Sequence, residues 1–247
     1  MASVAPPSRR DLEAAARPSR HAIYVFELPI RILHWTVVAC ILVLSLTGYY
    51  IHHPFVSGRG GPGHPGFAMG DVRFVHESVG FIFIGAVLAR IYWAFAGNRY
   101  VVWRALLPVT KEQRRDLRET IRFYAFLNHR PPRLNGHNPL AGLAYIGLYI
   151  GFLLTILTGL GLFAWVIRTP PWTTLFSWTW SVMAVQDLRL VHFLLMFAYI
   201  AFAVHHVYSA VLYDVEERNG ELSSMITGYK ADVHEGELPR DDPRRLR

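Results

Sequence analysis

Residues 187–213 read DLRLVHFLLMFAYIAFAVHHVYSAVLY, and the reading of this stretch decides the fold. It is apolar over roughly twenty residues, long enough to cross a bilayer as a helix. Three histidines interrupt it: His192 near its start, then His205 and His206 near its end. An ionisable group is costly inside a spanning helix, so such residues mark functional positions by default. His192 and His206 are fourteen residues apart. At about 100° per residue that is about 40° short of four full turns, with a rise of about 21 Å. Their imidazoles therefore share a face, one near each membrane surface. His205 falls about 140° away, on another face. Two ligands on one stripe fit two metal centres stacked across the membrane. For this helix taken alone, helix-end histidines hydrogen-bonded to neighbours account for the pattern equally well.

The rest of the chain supports a membrane protein with polar ends. Of its 247 residues, 52% are hydrophobic, 14% aromatic and only 17% charged. The net charge of +7 invites a nucleic-acid reading, but the basic residues lie in segments flanking apolar spans, so no nucleic-acid partner is expected. The single cysteine, Cys40, falls inside the first span, which leaves neither a disulfide framework nor a thiolate metal site. It reads as a small buried apolar residue.

Taken in order, residues 1–22 are rich in Ala, Pro, Ser and Arg and read as a disordered cytoplasmic tail. The first apolar stretch is too long for a secretory signal and no small-residue cleavage site follows it. Spans are expected at about 31–51, 74–96, 139–167 and 188–213. A Gly/Pro-rich loop, HHPFVSGRGGPGHPGFAMGD, separates the first two. A long basic connection separates the second from the third, and an aromatic loop, RTPPWTTLFSWTWSVMAVQD, separates the third from the fourth. Residues 23–230 form the membrane domain, and 231–247 read as a second disordered tail.

Orientation follows from the basic residues. The connection after the second span carries Arg99, Arg104, Lys111, Arg114, Arg115, Arg118, Arg122, Arg130 and Arg133, and the amino-terminal tail carries Arg9, Arg10, Arg17 and Arg20. The loop after the first span holds only Arg59 between its ends, and the loop after the third holds only its boundary Arg168 and Arg189. The positive-inside rule then puts both termini and the long connection in the cytoplasm. Trp172, Trp178 and Trp180 lie on the outer side, as an interfacial belt or a partner surface. Within the basic connection, Thr110 and Gln113 form a capping-box pattern. Leu117, Ile121 and Tyr124 follow at helical spacing with Arg115, Arg118 and Arg122 off that face, which reads as an amphipathic helix on the inner leaflet. A solvated helix with no membrane role is the alternative.

Orientation also pairs the histidines. The first span runs outward, so His34 in RILHWTVV lies on the inner side. The second runs inward, so His76 in RFVHESVGF lies on the outer side. The fourth runs inward too, with His192 outside and His206 inside. The depth-matched pairs are His34 with His206 and His76 with His192. Two bis-imidazole sites at two depths in a four-helix bundle are what two b-type haems need. Arginine stands three residues before three of these histidines, at Arg31, Arg73 and Arg189, on the histidine's face and one turn nearer the water. A guanidinium there suits a haem propionate, with snorkelling to lipid headgroups as the alternative. Gly48, Gly80, Gly85, Gly159 and Gly161 would admit a flat macrocycle, although glycine is common in membrane helices anyway. Zinc or copper would usually recruit carboxylates or thiolates as well. Here Glu77 is the only acidic residue well placed within a span, and Cys40 is alone. A proton relay needs no depth matching, so haem is the better account.

The segments RILHW, RFVHESVGF, RLVHF and HHVYSAV, with ERNGELSSMITGYK near the carboxy terminus, resemble the membrane cytochrome b subunit of uptake nickel–iron hydrogenases. The resemblance covers about residues 22–230. It implies an integral di-haem cytochrome b in the bacterial cytoplasmic membrane, docked to the hydrogenase small subunit and through it to the large one. Electrons would enter at the outer haem, cross to the inner haem and reduce menaquinone or ubiquinone. In the wider family, which includes the gamma subunit of formate dehydrogenase and bacterial cytochrome b561, a quinone-contacting asparagine opens the third span. The matching position is Asn138, in NGHNPLAGLAY, with His137 and Asn135 as neighbours. Pro139 directly after it departs from the family pattern, and Asn138 also fits a helix N-cap ahead of a proline at the first helical position.

The sequence thus specifies an all-α integral membrane fold: a four-helix bundle holding two haem b groups and serving as electron conduit, quinone-reducing module and membrane anchor for a hydrogenase, with hydrogen activation on the partner subunits. The haem subunit of a formate dehydrogenase-like complex, a free-standing b561-type superoxide or quinone oxidoreductase, and a histidine-lined transporter without haem remain as alternatives.

Overall fold

The computed structural model describes residues 22–55, 68–98, 100–125, 127, 139–217 and 220–231. Both expected tails, apart from their innermost residues, and Asn135, His137 and Asn138 lie outside the described residues. The chain forms two compact units, Glu27–His206 and one composed of the two ends, 1–26 with 207–247.

The larger unit is built on four helices long and apolar enough to cross a membrane. These are α1 (Leu28–His52), α2 (Ala68–Ala96), α5 (Pro139–Ile167) and the beginning and middle of α8 (Val185–Glu217), separated by α3 (Trp103–Leu106), α4 (Lys111–Tyr124), α6 (Trp172–Phe176) and α7 (Thr179–Val182). Each span is longer than or equal to its expected extent, because capping and first-turn residues such as Pro29 continue the helix beyond the apolar run. In the most apolar windows of the four spans only 11%, 17%, 22% and 6% of residues are buried. The apolar side chains therefore face outward, as lipid requires and water forbids.

One cluster of buried residues forms a layer at mid-height. Cys40, Phe83, Val87, Phe152 and Tyr199, with at least one residue from each span, form the core cluster. Phe152 packs edge-on against Phe83 at 5.1 Å and tilted against Tyr199 at 5.3 Å between ring centres. The heptad step places His192, Tyr199 and His206 along one stripe of α8, and Tyr145, Phe152 and Gly159 along one stripe of α5. The aromatic layer thus sits between the two histidine levels.

The connections are tied to the spans by specific bonds. A Glu27 carboxylate oxygen accepts from Trp93 Nε1 and from the Asn98 amide, both at 3.0 Å, which fixes the start of α1 to the end of α2. The capping box forms as read: the Gln113 amide donates to Thr110 Oγ1 at 3.1 Å and the Thr110 amide to Gln113 Oε1 at 3.0 Å. Helix α4 buries Thr120 and leaves Ile121 exposed, as an apolar residue facing lipid would be. Of the tryptophans between α5 and α8, Trp180 Nε1 donates to the Gly161 carbonyl at 3.0 Å, and Trp172 packs on Phe81 and Phe163. Trp178 is the exposed one.

In the second unit, β1 (Ala22–Tyr24) pairs antiparallel with β2 (Tyr229–Ala231), next to α9 (Glu221–Thr227). The chain is mostly helical, and this short strand pair is an addition to the helical expectation. Three-residue strands are too short to show alternation, and their partners lie at opposite ends of the sequence. Gly228 is required here twice over. Its φ is +89°, and an added Cβ would sit 2.5 Å from the Tyr24 ring.

Candidate functional site

The four matched histidines meet in pairs. Ring centres of His76 and His192 are 6.3 Å apart, and those of His34 and His206 are 6.4 Å apart. His205 is exposed. A metal–imidazole bond is about 2.0 Å, and the ring nitrogen lies about 1.1 Å from the ring centre. Two imidazoles ligating one ion from opposite sides would therefore be about 6.2 Å apart between centres. Both pairs stand at that spacing. Among the described residues no cluster of three or more His, Cys, Asp or Glu side chains could hold an ion. A two-nitrogen axial set fits a metal whose other ligands come from a macrocycle, and it does not fit a tetrahedral zinc or copper site.

The His76–His192 pair is held by a device that α1 and α5 share. Thr47 Oγ1 lies 2.8 Å from His76 Nδ1, and Thr158 Oγ1 lies 3.0 Å from His192 Nδ1. Each hydroxyl also donates to the carbonyl four residues back in its helix, Val43 O at 2.7 Å and Leu154 O at 2.9 Å. A carbonyl only accepts and a hydroxyl has one proton, so both imidazoles donate from Nδ1. That leaves each Nε2 as a lone pair, the state a metal ligand needs. The next residue is glycine in both helices. An added Cβ on Gly48 would stand 3.2 Å from His76 Cε1, and one on Gly159 would stand 3.0 Å from His192 Cε1.

A cavity of about 550 Å³ opens around this pair. Arg73 and Arg189 line it together with Glu77, Gly48, Gly80 and Gly159. Both arginines are exposed, and Arg189 Nη1 donates to Gln186 Oε1 at 3.1 Å. His52 lies at the same cavity, stacked on Phe193 with 3.7 Å between ring centres. Gly80 has open space where a Cβ would be, as expected of a residue admitting a flat group. Gly161 departs from that expectation: its missing Cβ makes room for Thr179, whose hydroxyl would be 2.6 Å away. Gly85 is exposed.

Aromatic rings pack around His34 and His206. His206 stacks on Phe202 at 5.5 Å and 9°, and meets Tyr145 edge-on at 6.0 Å. His34 packs edge-on against Trp35 at 5.2 Å, and its Nδ1 is buried with no hydrogen-bond partner among the described residues. Arg31 stands one turn before His34 on α1. Arg90, fourteen residues after His76 on α2, donates to the Val101 carbonyl at 3.3 Å and lies 5.6 Å from the Tyr149 ring centre. The sequence reading passed over Thr47, Thr158, His52 and Arg90. The repeated Thr-Gly dipeptide of the first and third spans was the available signal for the first two.

Apolar helices that leave their sides to lipid while pairing imidazoles at ligating distance define a multi-pass membrane cytochrome of the b type, which takes haem b. The chain belongs to the prokaryotic cytochrome b561 family, whose sequence profile matches residues 25–228. A probable Ni/Fe-hydrogenase B-type cytochrome subunit of Rhodobacter capsulatus is 36% identical over 227 residues, covering 90% of this chain and 86% of its own. Its counterpart in Cupriavidus necator is 35% identical over 220 residues, covering 87% and 90%. A probable Ni/Fe-hydrogenase 1 B-type cytochrome subunit of Escherichia coli is 37% identical over 213 residues, covering 84% and 90%.

Proposed function

We propose that this chain is the di-haem membrane subunit of a nickel–iron hydrogenase complex, anchoring the hydrogenase small subunit at the outer face and passing electrons to the quinone pool inside. The observation that carries this reading is the pairing of four histidines at 6.3 and 6.4 Å on two levels. The descriptions of its relatives as hydrogenase B-type cytochrome subunits support the partner. Bound haem supplies a one-electron iron couple at each level, and the levels are about 21 Å apart along α8.

The chain's own residues then divide the work. His76 and His192 ligate the outer haem, and His34 and His206 the inner one. Arg73 and Arg189 pair with propionates outside, and Arg31 does so inside. Asn138, opening the third span, donates to a menaquinone or ubiquinone oxygen. Both termini lie in the cytoplasm: the basic residues cluster there, and the pairing of β1 with β2 supports the two ends sharing one side. The bilayer is the bacterial inner membrane.

The test is a haem count joined to turnover. Purified complex should hold two haems per chain by the pyridine haemochrome assay, and hydrogen should reduce quinone. Asn138→Leu should keep both haems and slow quinone reduction about tenfold, the worth of one hydrogen bond. Reduction of a dye at the hydrogenase itself should survive. One haem per chain in well-folded protein would end the two-level reading, and unchanged quinone reduction in the variant would leave Asn138 a helix cap.

A further inference from the structure

We infer that Thr47 and Thr158 are positioning residues that hold the outer histidines as Nδ1 donors and thereby keep the outer haem at a lower potential than it would otherwise have. The inference rests on the two-haem reading above.

The geometry is the same on two helices, each of which carries the tripeptide Leu-Thr-Gly. In α1, Thr47-Gly48 cradles a histidine of α2; in α5, Thr158-Gly159 cradles a histidine of α8. In each cradle the hydroxyl proton is committed to a carbonyl four residues back, at 2.7 and 2.9 Å. The oxygen is thereby left as an acceptor aimed at Nδ1, and the glycine lets the ring lie close enough to reach it. An imidazole that donates from Nδ1 is a more basic ligand at Nε2. A more basic ligand favours the ferric over the ferrous state, so the bond lowers the potential. The inner level has no such arrangement at His34, whose Nδ1 has no partner among the described residues. Gain of one electron by the outer iron is therefore made less favourable than it would be without the two hydroxyls, which favours passing the electron inward.

The two cradles are not equal. Thr47 Oγ1 lies closer to His76 Nδ1, at 2.8 Å, than Thr158 Oγ1 lies to His192 Nδ1, at 3.0 Å. Removing the Thr47 hydroxyl should therefore have the larger effect.

The experiment is redox titration of the intact complex carrying Thr47→Val, Thr158→Val or the corresponding serine substitutions, with haem content measured alongside. The outer wave is identified as the one lost in His76→Ala. Thr47→Val should raise the outer potential by about the equivalent of a tenfold change in the one-electron equilibrium, about 59 mV, and leave the inner wave in place. Thr158→Val should raise it less, and serine at either position should restore the native value. Loss of the outer haem in Thr47→Val with retention in Thr47→Ser also supports the hydroxyl's role. Unmoved potentials with full haem content, or loss of the outer haem in both variants alike, would overturn it. A native complex lacking a second wave would instead defeat the two-haem reading, which keeps the two failures separate.

Discussion

At the outer level each imidazole Nδ1 meets a threonine hydroxyl, at 2.8 and 3.0 Å, and each ring lies against a glycine. At the inner level the contacts are aromatic: Phe202 and Tyr145 against His206, and Trp35 against His34. The ring spacings nevertheless agree to a tenth of an ångström. Equal spacing with different surroundings would suit the same kind of group at both levels, with the surroundings free to tune each one. A hydrogen bond fixes a ring's rotation and its tautomer; packing fixes its plane and leaves the protons to the metal. The rings of His76 and His192 thus have their rotation fixed by a hydroxyl as well as by packing.

The most severe way to break this comparison is to remove a ligand from one level and ask whether the other survives. His206→Ala should lose the inner haem and keep the outer one, and His192→Ala should do the reverse, each read as a halved haem count and the loss of one redox wave. His205→Ala should keep both, because His205 is exposed on another face of α8. If His205→Ala lost a haem and His206→Ala did not, the helix would have to change register between His192 and its second ligand.

A milder break leaves the ligands and closes the cradles. A Cβ at residue 159 would stand 3.0 Å from His192 Cε1, and one at residue 48 would stand 3.2 Å from His76 Cε1. Either ring must shift by a few tenths of an ångström, more for residue 159. Gly159→Ala should speed transfer of the outer haem to a haem-scavenging protein about tenfold, the usual cost of disturbing the support of a metal ligand. Gly48→Ala should do so less, and neither should touch the inner haem. Equal effects on both levels would show that the glycines serve helix packing in general.

How much of this was legible beforehand follows from the reach of each signal. The spans and the pairing could be read because hydrophobic runs, charge bias and helical phase act over many residues at once. Depth matching of His34 with His206 and of His76 with His192 needed only the direction of each span. The choice of His206 over His205 needed only 3.6 residues per turn. The threonine cradles were not legible, since a threonine in a membrane helix commonly bonds its own backbone and nothing local says that its oxygen meets another helix. Gly161 reads as a cofactor glycine for the same reason, whereas Thr179, at the start of α7, fills its space. The strand pair escaped because three residues carry no periodicity and the partners are near opposite chain ends.

The smallest expected effect sharpens the comparison through its sign. Arg73 and Arg189 line the outer cavity one turn before His76 and His192, and Arg31 stands one turn before His34. A guanidinium beside a propionate cancels negative charge near the iron and so favours the ferrous state. Replacing Arg73 or Arg189 by glutamine should therefore lower the outer potential, opposite in sign to the threonine variants. Arg31→Gln should lower only the inner one. Both outer arginines are exposed, so water and salt screen them. The shift should stay within about a fivefold change in the one-electron equilibrium, about 40 mV, and shrink as salt is raised. Redox titration at low and high ionic strength reads all of these together. An arginine that instead reaches lipid headgroups would leave both waves where they are at either salt concentration, and the repeated R-x-x-H spacing would then be a membrane-anchoring pattern rather than part of the haem sites.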